Sequence, residues 1–325
     1  MGSEGTPSPE VSFLRAFVSS SGDERTQNRV WVGGRYGRRV VAPAWLDELG
    51  FSPDGPPWLS MGLSRCPPEA WLWPDDRRDA ELDERARLLA DHHDEVFGAR
   101  PGTEDAGAEV LDMVRAWLAA QRPDLAVPPA RHDVHPLEAA GRLVQEDLCL
   151  MVERDGVPHL DAGCLCFPSH WRLHDKLGRP AREVHGPVPR YDEELAVKVD
   201  RYLTRLRPDV IGLRRNWSVH DSPALHSPRR PAPDRALTPD EVPDRLWLRS
   251  ERQTLRRLPA TGAVLFTIRV QQTPFSSLRE RPDVVAAFAA RIRAQPDELV
   301  RMNGLIVYRE AVLAWLDGAA ATPAG

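Results

Sequence analysis

The chain has 325 residues, enough for one large or two ordinary domains and for a core that needs no metal or disulfide to hold it. Lys and Arg number 43 against 48 Asp and Glu, a formal charge of -5, so no basic surplus offers a face to nucleic acid. No run approaches the roughly 18 uninterrupted apolar residues of a membrane span. The four cysteines, Cys66, Cys149, Cys164 and Cys166, are too few for a disulfide framework, and nothing reads as a signal segment, so a soluble protein of the reducing cytoplasm is expected.

Residues 1–25, rich in Ser, Gly, Pro and Glu, read as a disordered lead-in with one apolar patch at Phe13 to Val18. Residues 26–133 read as an N-terminal helical section. GGRYG at 33–37 lacks the G-x-G-x-x-G order and is a turn. Leu82, Ala86, Leu89, His93 and Val96 recur every three or four residues, a helical period over Leu82 to Phe97. A second such run, Val110, Leu111, Val114, Trp117 and Leu118, ends before Pro123.

From Arg142 the pattern becomes strand-like. LVQEDLCLMV and HLDAGCLCF flank a turn at Arg154 to Pro158 whose Asp155-Gly156 pair signals a hairpin. Cys164 and Cys166 share a strand face, and without further spaced cysteines they read as packing. Then comes FPSHWRLHDKLGRPAREVHGPVPRY at 167–191, with three histidines, a Trp and four prolines in one connection. His170 and His174 would share a face if that turn were helical, as a metal pair does, but no third ligand is placed by spacing and solvated loop histidines explain them as well.

Asp192, Glu193 and Glu194 open a helix whose stripe is Leu195, Val199, Tyr202, Leu203 and Leu206, closed by Pro208. Strands follow at Val210 to Val219, Leu246 to Leu258 and Ala263 to Val270, the last two joined by a short turn at Pro259 to Gly262. Between the first two, the Pro-rich stretch 223–243 promises little regular structure. After 279 a helical appendage, 280–325, carries Val284, Val285, Phe288 and Ile292 on one stripe and a final helix near Ala311 to Leu316. Periodicity alone supports an α+β class.

Several blocks, SMGLSRCPPEAWLWPD at 60–75, HPLEAAGRLVQEDLCLM at 135–151, the VHGPVP block around His185, RRNWSVHDSPAL at 214–225, and ERQTLRRLPATGAVLFTIRVQQTPF at 251–275, together resemble the alpha-subunit-like family of haem-dependent oxidative N-demethylases. The resemblance spans roughly residues 40–315. It implies a PAS-like five-stranded antiparallel sheet over 134–279, a haem b cofactor and oxidation of the N-methyl group of a small amine by dioxygen.

No C-x-x-C-H is present, so covalent haem attachment is excluded. His185, inside the block that matches the family, is the implied proximal iron ligand; read without the resemblance it is a loop-capping histidine hydrogen-bonded to backbone rather than a ligand. Arg252, Arg256 and Arg214 are candidate propionate partners, with Arg215 and Arg257 beside them, against the plain reading of a solvated charged face. Glu251, Asp221 and Trp217 are candidates to hold a cationic amine and take its proton, Trp217 being otherwise a strand core residue. His220 and His226 stand where the family pattern more often carries other residue types.

The chain shows no nicotinamide fingerprint and no cluster cysteines, so a separate redox partner is expected, and the resemblance implies that NADPH electrons arrive through separate flavin and iron-sulfur subunits. A PAS-like haem or small-molecule sensor is the alternative, although no output domain appears.

Overall fold

The computed structural model describes residues 29–32, 35–38, 42–51, 61–129, 131–184, 195–230 and 235–321. The chain divides into two compact units, residues 1–41 and 42–325. In the first, Arg29–Val32 (β1) and Arg35–Arg38 (β2) form an antiparallel hairpin; the expected lead-in lies outside the described residues.

The second unit is built on one sheet. Its strands are Ser64–Cys66 (β3), Phe97–Ala99 (β4), Asp147–Arg154 (β5), Val157–Cys164 (β6), Ile211–His220 (β7), Trp247–Arg257 (β8) and Val264–Pro274 (β9). They lie in the order β3-β7-β8-β9-β5-β6-β4, every neighbouring pair antiparallel. The five strands read from the sequence are all present. The PAS-like five-stranded sheet expected over 134–279 is nonetheless corrected to a seven-stranded antiparallel one, because β3 and β4 add an edge on each side, and three residues are too short to leave a period. The α+β class stands.

Turn chemistry sets two hairpins. Asp155 and Gly156 both have positive φ, 52° and 77°, the mirror-image turn whose twist matches the β5–β6 pair. Between β8 and β9, Gly262 takes φ 75°, and the Glu109 carboxylate receives the Ala260 and Thr261 amides.

Helices cover both faces: Arg78–Asp91 (α1), His93–Val96 (α2), Glu104–Gln121 (α3), Pro136–Gly141 (α4), Ala181–Val184 (α5), Ala196–Arg205 (α6), Val242–Arg245 (α7), Pro282–Ala294 (α8), Asp297–Met302 (α9) and Arg309–Ala321 (α10). The single helix expected over Leu82 to Phe97 is interrupted at His92, which leaves the helical region at φ -135°, and Phe97 begins β4. The strand expected from Arg142 begins at Asp147, since Pro136 at the first turn and the His135 ring capping the Leu137 amide start α4 just upstream. Of the helix expected from Asp192, residues 196–205 are helical and 192–194 lie outside the described residues. The Pro-rich stretch ends in more order than expected: Thr238 and Glu241 form a capping box that leads into α7.

Residues paired across antiparallel strands point to the same face, and their neighbours along each strand to the other. One row is therefore Arg215, Arg252 and Arg269, and the adjacent row is Asn216, Glu251 and Val270 on the opposite side. The arginine side lies between two apolar clusters. One joins Trp45, Phe51 and Leu248 to α8 and α10; the other joins Trp71, Leu148 and Leu265 to α3 and α4. The Glu251 side meets a third cluster, in which Cys149, Ile268 and Val270 pack with Leu173, Val184, Val199, Leu203 and Leu206.

Candidate active site

The arginine row is a staple. The side chains of Arg215, Arg252 and Arg269 are 3%, 2% and 1% exposed, and each is tied to neighbouring segments, although Arg252 Nε has no hydrogen-bond partner among the described residues. Arg215 pairs with Glu48 at 2.8 Å and donates to Gln271 and Ser250. Arg252 donates to the carbonyls of Trp71 and Ala70 at 3.1 and 2.6 Å, with its guanidinium 5.2 Å from the centre of the Trp73 ring. Arg269 pairs with Asp75 at 2.6 Å and Glu81 at 2.8 Å. Burial pushes the Arg215 guanidinium down and the Glu81 carboxyl up.

The opposite face is chemically different. Glu251 is buried, and its Oε2 accepts from Asn216 Nδ2 at 3.1 Å and Gln253 Nε2 at 2.8 Å. The Asn216 side-chain oxygen in turn accepts the Glu251 amide at 3.2 Å. Among the described residues no Lys, Arg or His stands within ion-pair distance of this carboxylate, so its hydrogen bonds come from neutral amides. Lys176 and the buried Arg249 are cations that face it from farther off. Lys176 Nζ donates to the Val184 carbonyl at 2.6 Å and sits 4.9 Å from the centre of the Trp171 ring. Burial lowers the Lys176 ammonium, partly offset by Glu251. Leu255, Phe266, Ile268 and Val270 form the apolar wall beside this polar end.

α6 closes that wall, and two devices set its position. Arg257 donates to the carbonyls of Leu206 at 2.7 Å, Leu203 at 2.5 Å and Thr204 at 3.2 Å, which caps the helix C-terminus. Tyr202 lies against Gly212, where an added Cβ would stand 2.1 Å from its hydroxyl. No larger residue leaves that space.

The residues singled out in the sequence do not converge on one point. Glu251 and Arg214 share a face, with Arg214 in register with Gln253; Arg252 and Arg256 are on the other, Arg256 stacked 4.9 Å from the Trp71 ring centre. Trp217 packs edge-on to Phe51 and Phe288, at 5.7 and 5.0 Å, in the C-terminal cluster. Asp221 accepts from the Tyr308 hydroxyl at 3.3 Å. His185 lies outside the described residues.

The histidine pair is not a helical one. His170 takes φ 61° and stacks on His220 at 4.3 Å, while His174 hydrogen-bonds the Asp94 carbonyl. His226 bonds the Cys166 carbonyl at 2.9 Å. No cluster of three or more His, Cys, Asp or Glu able to hold a metal ion occurs among the described residues. All four cysteines are buried and unpaired. No helix among the described residues is long and apolar enough to cross a membrane.

Sequence reasoning missed Lys176, Asn216 and Gln253, read Tyr202 only as part of a helix stripe, and offered Arg257 as a propionate partner where it caps α6 instead. Period-2 alternation would have grouped Gln253 and Arg257 with Glu251, but cross-strand register, which brings Asn216 to Glu251, is not written in any local pattern.

The sequence model of the family described as haem-dependent oxidative N-demethylase, alpha subunit-like, matches residues 62–313. The chain belongs to that family. All seven strands of the N-demethylase-like sheet fall within the match, from Ser64 to Pro274. Haem dependence asks the fold for an apolar wall, cations for two carboxylates and an axial ligand. On the Glu251 face the apolar wall is Leu255, Phe266, Ile268 and Val270, with the cations Lys176 and Arg214 on the same side, while the expected axial ligand His185 lies outside the described residues. The arginine face does not fit such a group, because Arg252 and Arg269 are already spent on carbonyls and carboxylates.

Proposed function

We propose that this chain is a haem b-dependent monooxygenase that removes an N-methyl group from a small secondary or N-methylated amine as formaldehyde. Beyond the family match, the observation that carries the reading is Glu251: a buried carboxylate, hydrogen-bonded by two neutral amides and without an ion-pair partner among the described residues, at the polar end of an apolar wall. Bound haem supplies the activation of dioxygen and the oxidation of the carbon next to nitrogen. The protein's residues do the rest.

His185 would hold the iron, and the Val184 carbonyl just before it is tied to Lys176, which faces Glu251. Lys176 and Arg214 would meet the haem carboxylates. An incoming amine arrives as a cation, which the Glu251 carboxylate attracts; taking its proton leaves the nitrogen lone pair free, and the adjacent C–H bond is then weaker toward oxidation. Asn216 and Gln253 fix the direction of that carboxylate. The Phe266, Ile268 and Val270 wall keeps water from the methyl group. Hydroxylation of the methyl carbon gives a carbinolamine that falls apart to the demethylated amine and formaldehyde. Each turnover consumes two electrons, which a separate reductase carries from NADPH through flavin and iron-sulfur centres.

The test is hemin reconstitution followed by NADPH-driven formaldehyde release with a supplied reductase. A Soret band with formaldehyde supports the enzyme; a Soret band with no formaldehyde from any methylated amine supports a haem sensor instead.

A further inference from the structure

The outer side of α6 carries a surface that the chemistry above does not use. Lys198, Arg201 and Arg205 recur at spacings of three and four, so they form one stripe on the helix. All three are exposed, and none has an acidic partner among the described residues; Arg207, just beyond, is held by Asp209 at 2.6 Å. Beside the stripe runs an open groove of about 420 Å³ that also includes Met61, Tyr202, Leu206 and Val210. Val197, on the same helix, is 70% exposed. A cationic rim without acidic partners among the described residues, around apolar side chains and on a chain whose net charge is -5, is a local inversion of the molecule's sign.

The opposite side of the same helix packs Val199 and Leu203 into the cluster that backs the Glu251 face, and Leu206 at the end of the helix reaches both groove and cluster. One helix, roughly 10 Å across, therefore separates the groove from that face. We propose that this groove is where an acidic electron-carrying protein docks, with carboxylates on Lys198, Arg201 and Arg205 and an apolar centre on Met61 and Val210. The proposal rests on the oxygenase reading. The partner, a small acidic iron-sulfur protein, delivers two electrons per methyl group removed: amine N–CH3, O2, two electrons and two protons give amine N–H, formaldehyde and water. Rim charges of this kind raise the association rate and fade with salt.

The test uses the haem-reconstituted full chain and a plant-type [2Fe–2S] ferredoxin as an acidic probe. Affinity is measured at low and at physiological salt for wild type, for K198E/R201E/R205E, and for a control reversal at Arg87, Arg131 and Arg293. The groove variant is expected to bind at least tenfold more weakly and to lose its salt dependence, while the control binds like wild type and all three keep the Soret band. Phosphatidylserine vesicles and single-stranded DNA are run beside the ferredoxin. The proposal is overturned if wild type does not bind ferredoxin, if the groove variant binds it unchanged, or if the reversal removes only vesicle or DNA binding. Absence of a Soret band in wild type overturns the functional reading instead, so the two failures are distinguishable.

Discussion

Gly212 and Tyr202 give the sharpest test of how α6 is seated on the sheet. In Gly212→Ala the new Cβ would stand 2.1 Å from the Tyr202 hydroxyl, 3.2 Å from its ring carbon and 3.3 Å from a Leu63 methyl. A phenol cannot fold its tip away as a lysine can, so the ring or the whole helix has to shift by more than 1 Å. Overpacking of this kind costs about 1–3 kcal/mol. Tyr202→Phe alone removes the clashing atom and leaves the ring carbon at a tight but tolerable distance, at a cost of under about 1 kcal/mol. The double variant is then expected to recover about 1–2 kcal/mol relative to the sum of the singles. Urea unfolding of the four proteins measures the cycle. Additivity within about 0.5 kcal/mol would refute the contact.

Further outcomes follow from the same geometry. Glu251→Gln keeps the side-chain shape, so the Soret band and far-UV dichroism should persist while formaldehyde release falls by roughly 10²–10⁴-fold; an unchanged rate removes Glu251 from the chemistry. Arg252→Ala strips a buried guanidinium from the Trp71 and Ala70 carbonyls and should cost about 3 kcal/mol or more in urea unfolding, with the Soret maximum of the folded protein unmoved. A shifted maximum would return Arg252 to the haem. The stacked His170 and His220 are held neutral by burial, with pKa values lowered to about 4 and about 2. An unfolded histidine takes up its proton near pH 6.5, and the folded pair does so only at those lower values, so stability is full above about 6.5 and declines as pH falls toward 4 and below. His220→Phe keeps a ring in the stack and should flatten that decline between pH 7 and 5; an identical slope would show that the pair does not titrate as argued.

Much of the architecture was legible in local pattern. Asp155-Gly156 declared its hairpin because two adjacent positive-φ positions favour that pair, and the five long strands and the stripes of α3, α6 and α8 follow from burial on one side. The edge strands β3 and β4 were not, because three residues carry no period and pairing with a neighbour decides them. The site divided along the same line. Alternation along β8 was enough to say that Glu251 and Arg252 face opposite ways, yet which face is left for a candidate site depends on what covers it. Glu48, Ala70, Trp71 and Asp75 claim the arginine row from far away in sequence. Lys176 was invisible as a site residue because its partners, the Val184 carbonyl and the Trp171 ring, are brought to it by an irregular loop.

The central proposal is that His185, in the sequence between α5 and α6, would hold the iron of a bound haem. Absorption spectra of wild type and His185→Ala, each titrated with hemin, test it most directly. The account predicts a saturable Soret band in wild type, and in the variant its loss or a marked shift with far-UV dichroism retained. A wild-type protein that gives no Soret band, or a variant whose spectrum matches wild type, would contradict it.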